Sequence, residues 1–147
     1  MDVKSREEII KFAQKLNSTN LSPLRSGNIS VKSRNNNEEG FLITPSGKKY
    51  DSLKAEDIVF VSLNGKYDEK GLKPSSEWRF HKDIYLKKTD AKAVVHAHSP
   101  HATAVSAHNK DVPAFHYMIA LAGGDNIKCA KYATFGTQEL SLSLIHI

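Results

Sequence analysis

The sequence has a single cysteine, Cys129, so no disulfide can form within the chain. That thiol lacks the neighbouring cysteines of a zinc knuckle, and its default place is as a small buried hydrophobe. The scarcity of thiols fits a reducing compartment, and the expectation is a cytoplasmic protein. Nowhere do the 147 residues approach the ~20 apolar positions needed to cross a membrane. The opening Met1-Asp2-Val3-Lys4-Ser5-Arg6-Glu7-Glu8 lacks the apolar core of a secretory signal. A basic stripe with interleaved aromatics is missing too, because the +5 net charge is spread among acids, as across residues 66–70. No nucleic-acid partner is therefore expected, and the modest positive field suits anionic, phosphorylated metabolites. With no repeat, low-complexity tract or linker, the chain reads as one domain.

What is present is the balance of a folded domain, 39% hydrophobic and 25% charged. Only residues 35–39 look poorly ordered. Ser5-Arg6-Glu7-Glu8 has the form of a capping box. Ile9, Phe12, Ala13 and Leu16 follow at helical spacing as one apolar face. Strands are predicted over residues 28–32, 41–44, 58–63 and 93–98, the third leading into an Asn64-Gly65 turn. Ser75-Ser76 can cap a helix over residues 77–87, with Glu77 in its first turn. Ser99-Pro100 opens another helix to about residue 108, and Thr137-Gln138-Glu139-Leu140 begins a further one.

The chemistry concentrates in a few short segments. In Val94-Val95-His96-Ala97-His98, alternation along a strand points both imidazoles the same way, where they can chelate a divalent metal. They can equally be two histidines on a polar strand face or in core hydrogen bonds. His101 reads as packing. Pro74-Ser75-Ser76-Glu77-Trp78-Arg79 places two hydroxyls at a helix start, a natural anion cradle, beside a carboxylate able to ligate metal or move a proton. Taken alone, that segment is also an ordinary helix cap. Gly27-Asn28-Ile29-Ser30 and Thr44-Pro45-Ser46-Gly47 are turns of small polar residues that can bring amides to a phosphate or simply connect strands.

In order, these segments resemble the class II aldolase/adducin family. The resemblance runs from about Gly27 to Ser141 and is carried by residues 26–30, 43–47, 74–81, 93–98, 116–120 and 132–137. It implies an α/β fold, a single domain with a mainly antiparallel central sheet flanked by helices. It also implies a zinc cofactor held by His96, His98 and Glu77, with Glu77 doubling as acid/base during turnover. Ser75, Ser76, Gly27, Asn28, Ser46 and Gly47 fall where the family binds substrate phosphate. Tyr117 matches a tyrosine that handles the substrate hydroxyl proton across a subunit interface, and Phe135 matches an aromatic of the aldehyde pocket.

The resemblance further implies a homotetramer acting on a phosphorylated sugar. The run Ser75-Ser76-Glu77-Trp78-Arg79-Phe80-His81 with His116-Tyr117-Met118-Ile119-Ala120 favours cleavage of L-fuculose 1-phosphate to dihydroxyacetone phosphate and L-lactaldehyde. The alternatives within the family are a rhamnulose-1-phosphate aldolase, a methylthioribulose-1-phosphate dehydratase, a ribulose-phosphate epimerase and a non-catalytic adducin-like scaffold. A Schiff-base aldolase would need a lysine desolvated by burial, whereas every lysine here sits in a polar stretch.

One departure stands out. Family members carry a third zinc-binding histidine beyond the helix that begins at Thr137, with more helices after it. The only downstream histidine is His146, too early for that position. Leu142-Ser143-Leu144-Ile145-His146-Ile147 is also the direct translation of CTG TCT CTT ATA CAC ATC, the end of a transposase sequencing adapter. The expectation is thus an incomplete aldolase domain over residues 1–141, its C-terminal helices missing, and a non-native tail over 142–147. Such a chain is expected to hold zinc weakly and to be inactive by itself.

Overall fold

In a computed structural model, residues 2–145 of the chain are described. The elements run α1 (Val3–Ser18), β1 (Asn28–Asn35), β2 (Glu38–Ile43), β3 (Val59–Ser62), α2 (Trp78–Lys87), β4 (Ala93–His96), α3 (Pro100–Ser106) and α4 (Gln138–Ile145), with short 3-10 turns between. The four strands form one sheet in the order β3-β2-β1-β4, every pair antiparallel.

Alternation along the strands builds two cores. Ile29 on β1 and Leu42 on β2 face α1, where Ile9, Ala13 and Leu16 meet them together with Tyr50, Leu53 and Ile58. Phe41, Ile43, Val59 and Val61 project from the opposite face and bury Tyr85 of α2. Each such fully buried large side chain contributes roughly 1.5–3 kcal/mol by leaving water. The Phe41 and Tyr85 rings pack tilted, 5.4 Å apart. The sheet is thereby clamped between α1 and α2, which fixes the ends of β1 and β4 against the start of α2.

Several local expectations are corrected. Helix α1 starts before the proposed capping box, because Asp2 is the N-cap and its carboxylate accepts from the Ser5 amide at 3.1 Å. A carboxylate there satisfies a free amide and complements the helix dipole. Phe12, at the edge of the apolar stripe, is 51% exposed. Residues 35–39 are not a loose loop: Asn36 and Asn37 take positive φ, 45° and 66°, and close a tight β1–β2 hairpin. Helix α2 begins at Trp78, with Glu77 as its N-cap residue. Its carboxylate makes no capping bond because it is turned toward β1. The helix expected from Thr137 is present as α4, which docks on α2, where Asp83 accepts from Gln138 Nε2 and Ser141 Oγ, each at 2.7 Å. His146, set aside above as a metal ligand, lies outside the described residues. Among the described residues, no helix is long and apolar enough to cross a membrane.

Candidate active site

The start of β1 lies beside the end of β4, since Asn28 pairs with His96 in the ladder. A close approach makes this possible. A Cβ on Gly27 would lie 2.2 Å from Ser22 Oγ and 2.6 Å from the His96 carbonyl oxygen, so only glycine fits. Strand β4 ends at His96, and the His98 amide donates to the Leu21 carbonyl at 2.8 Å. That bond holds His98 just past the strand, with its Nε2 2.9 Å from His96 Nε2.

Glu77 reaches this pair from the start of α2. It is 8% exposed, and its Oε2 lies 3.3 Å from His96 Nε2. The same oxygen accepts from Asn28 Nδ2 at 2.9 Å, while Oε1 takes no hydrogen bond from the described residues. Burial holds the His96 imidazole below its ordinary pKa, against the pull of the Glu77 carboxylate, and His98 adds to the lowering.

Beside Glu77 and His98 opens a cavity of about 350 Å³. Gly27, Asn28, Ser46, Gly47, Ser75, Ser76 and Phe135 all line it, with Lys48 and Tyr50. Gly47 turns the loop at φ 76°, a left-handed conformation that a side chain would strain. The backbone here is partly committed: the Ser46 amide donates to Lys73 O, and the Ser75 amide to Thr44 O. Ser75 Oγ accepts from the Glu77 amide at 3.4 Å. The wall therefore offers an anion hydroxyls more than a row of free amides, and the Lys48 ammonium at its edge is engaged by Asp57. Phe135 is 72% exposed and borders the cavity next to Gly136, whose carbonyl accepts from Arg79 at 3.0 Å.

Tyr117 does not join them. It is 79% exposed, on a 3-10 turn spanning Tyr117–Ala122, and borders a different depression with His116 and Ile119. Within one chain, Tyr117 and the cavity around Glu77 are separate.

The donor types test whether a metal suits the site. Two imidazole nitrogens and a carboxylate oxygen form a set that zinc accepts. Ligand nitrogens on a tetrahedral zinc stand roughly 3.3 Å apart, so the 2.9 Å His96–His98 separation would have to open only slightly. Among the described residues, no group of three or more His, Cys, Asp or Glu side chains is gathered tightly enough to hold a metal ion. What exists is two close pairs sharing His96.

Sequence reasoning missed the layer behind Glu77. His81 is fully buried, stacked on Phe80 with ring centroids 4.6 Å apart, and burial drives its imidazole down to about 3, with His96 adding to the shift. Its ring bridges Ser30 and Asn28, and Ser30 in turn meets the Tyr85 hydroxyl. Burial raises that phenol to about 12, against hydrogen bonds with Ser30 and the Val94 backbone. The available signal was the four-residue spacing from Glu77 to His81, which returns both to one side of a helix start. Lys48, the cation of the cavity wall, was missed too. It pairs with Asp57 at 2.6 Å.

The chain is similar to known proteins along most of its length. A family model described as the class II aldolase and adducin N-terminal domain matches residues 7–146. The chain is 49% identical over 138 residues to the L-fuculose phosphate aldolase of Escherichia coli, covering 94% of this chain and 62% of that protein. It is 44% identical over 136 residues to the 5-methylthioribulose-1-phosphate/5-deoxyribulose-1-phosphate aldolase of Rhodospirillum rubrum, covering 92% of this chain and 59% of that one. A solved L-fuculose 1-phosphate aldolase superposes with a TM-score of 0.87 at 39% identity, over 95% of this chain and 65% of that one. The chain thus spans about 60% of the length of these curated relatives.

Proposed function

The chain belongs to the class II aldolase and adducin family, and from that premise we propose that it carries the zinc and phosphate half of a sugar-phosphate aldolase cleaving L-fuculose 1-phosphate. The observation that carries this reading is the pairing of His96 with both Glu77 and His98 beside a cavity walled by Ser75, Ser76 and Gly47. Those three side chains would hold the metal, which when bound supplies a Lewis acid for the substrate ketone.

The chain's own groups do the rest. Ser75, Ser76, Ser46, Gly47, Gly27 and Asn28 bind the phosphate and fix the half of the sugar that stays behind, a source of binding energy remote from the breaking bond. Tyr117 of a neighbouring copy takes the proton of the C4 hydroxyl. The C3–C4 bond breaks, L-lactaldehyde leaves, and the electron pair stays with the dihydroxyacetone phosphate half. The proton taken by Tyr117 passes to solvent, and Glu77, protonated from solvent once the sugar is bound, gives C3 a proton; an Oε1 left open while Oε2 is held by Asn28 supports this role. Phe135 shapes the place of the departing aldehyde. The exposure of Tyr117 supports a site shared between copies, in a homotetramer.

A second reading has its own support, the 44% identity to an aldolase named for 5-methylthioribulose and 5-deoxyribulose 1-phosphates. Products separate the two. Dihydroxyacetone phosphate and L-lactaldehyde from L-fuculose 1-phosphate support the first, and a clear preference for the deoxy or methylthio pentulose phosphates supports the second. Loss of water without carbon–carbon cleavage would overturn both, and a protein extended to the relatives' length that still lacked zinc and turnover would leave a scaffold.

A further inference from the structure

A continuous buried hydrogen-bonded chain stands behind Glu77. Ser30 Oγ on β1 lies 2.8 Å from the Tyr85 hydroxyl and 2.7 Å from His81 Nδ1. His81 Nε2 meets Asn28 Oδ1, and Asn28 Nδ2 donates to Glu77 Oε2 at 2.9 Å. Ser30 and His81 are both fully buried.

The direction of every bond follows from the carboxylate end. An ionised Glu77 only accepts, so Asn28 must turn its NH2 toward it and its carbonyl toward His81. That carbonyl only accepts, so His81 carries its hydrogen on Nε2, and Nδ1 is the acceptor. Ser30 therefore donates to Nδ1 and accepts from Tyr85. Every group donates toward Glu77. An amide neither takes nor gives a proton readily, so Asn28 makes this chain an orienting device and not a proton wire.

We propose that His81 is a positioning residue: locked as its Nε2–H tautomer by Ser30, it holds Asn28 in the one orientation that presents an NH2 to Glu77 Oε2. This rests on the reading of Glu77 as metal ligand and acid/base, and it names what aims that carboxylate. Without the His81 donor, the Asn28 amide is free to turn. Held by the carboxylate alone, it can swing out of line, loosening its grip on Oε2 and with it the distinction between the held and the open oxygen. Ser30 and Tyr85 act one and two steps further back.

The test compares two amide replacements that a packing role would treat alike. In His81→Gln the amide nitrogen falls near the old Nε2 and can still donate to Asn28. His81→Asn places its amide near the old Nδ1 and cannot. Metal affinity is read by calorimetric titration of the chain with zinc, on variants shown by circular dichroism to be folded. Glutamine should stay within about threefold of the parent, whereas asparagine should weaken binding by about 10- to 100-fold, the usual effect of removing a group that orients a ligand. Equal effects from the two would overturn the proposal. Independently of any metal or variant, the 15N shifts of the His81 ring in the metal-free parent report its tautomer. Nε2–H supports the assignment, and Nδ1–H overturns it. Should the parent not bind zinc, the metal reading of the site fails while the tautomer still decides this one.

Discussion

His96 and His98 meet Nε2 to Nε2 at 2.9 Å, with their ring planes at 89°. Two neutral imidazoles facing each other this way need either a hydrogen on one nitrogen or a shared cation between them. Glu77 at 3.3 Å from His96 supplies the negative charge that favours the cation.

From that arrangement, three substitutions should have separable effects in a chain extended to the length of the relatives. His96→Ala should abolish stoichiometric zinc retention and turnover together. Tyr117→Phe should keep zinc and lower kcat by about 100-fold or more, since only a proton-transfer group is lost. Ser75→Ala should keep zinc and raise KM by about tenfold, the scale of one hydrogen bond to a charged group. Metal analysis beside steady-state kinetics checks all three, and equal zinc loss in each would show the roles to be misassigned.

Gly27 was read from the sequence as a phosphate-site residue, yet its tightest neighbours are Ser22 Oγ and the His96 carbonyl. Gly27→Ala should therefore cost about 1–3 kcal/mol of stability by overpacking and should push the end of β4 outward. Denaturant unfolding measures the first. A fall in zinc affinity larger than that of Ser75→Ala measures the second.

His81 makes stability depend on pH. Burial takes it from an ordinary 6.5 down to about 3. Between those values the unfolded chain binds a proton that the folded chain refuses, so stability falls as pH falls through this window and is fully present above it. The slope from this one group is at most about 1.4 kcal/mol per pH unit. Urea unfolding at about pH 7.5 and about pH 5 should show the parent losing more stability than His81→Leu, the difference isolating the histidine from the carboxylates. A parallel loss in both would remove His81 as the cause.

Much of this molecule was legible because the signals were local. The strand positions and the Ser99-Pro100 helix start each follow from period and turn chemistry, whereas His98, expected on β4, lies past its end, where its amide bonds to Leu21. The N-termini of α1 and α2 were misread because Asp2 competes with Ser5 and Glu77 with Ser75 and Ser76 for them, and the outcome depends on where each carboxylate finds a partner. Asp2 finds the Ser5 amide, whereas Glu77 finds Asn28 on another element. The chain of Ser30, His81 and Tyr85 was invisible for the same reason. Its members are 51 and 55 positions apart, and only the packing of α2 on β1 joins them. Tyr117 shows the opposite limit, since the part proposed for it needs a neighbouring copy.

One acceptor on α2, Asp83, anchors the start of helix α4. Asp83 binds both Gln138 and Ser141, and those hydrogen bonds, with Lys82, hold its carboxyl below the usual range although burial opposes the shift. Asp83→Ala should leave two donors unmatched and loosen α4 from α2 by about 1–3 kcal/mol. Hydrogen exchange should show faster amides over Gln138–Ile145 with little change in α1. Uniform protection across both helices would contradict the anchoring.

The most direct test of the account is release of dihydroxyacetone phosphate from L-fuculose 1-phosphate by a chain extended to the relatives' length, followed with and without His96→Ala. The account predicts zinc-dependent release, inhibited by chelation, restored by added zinc and absent from the variant. Release that persists after chelation or in His96→Ala, or consumption of the sugar phosphate without dihydroxyacetone phosphate appearing, would contradict it.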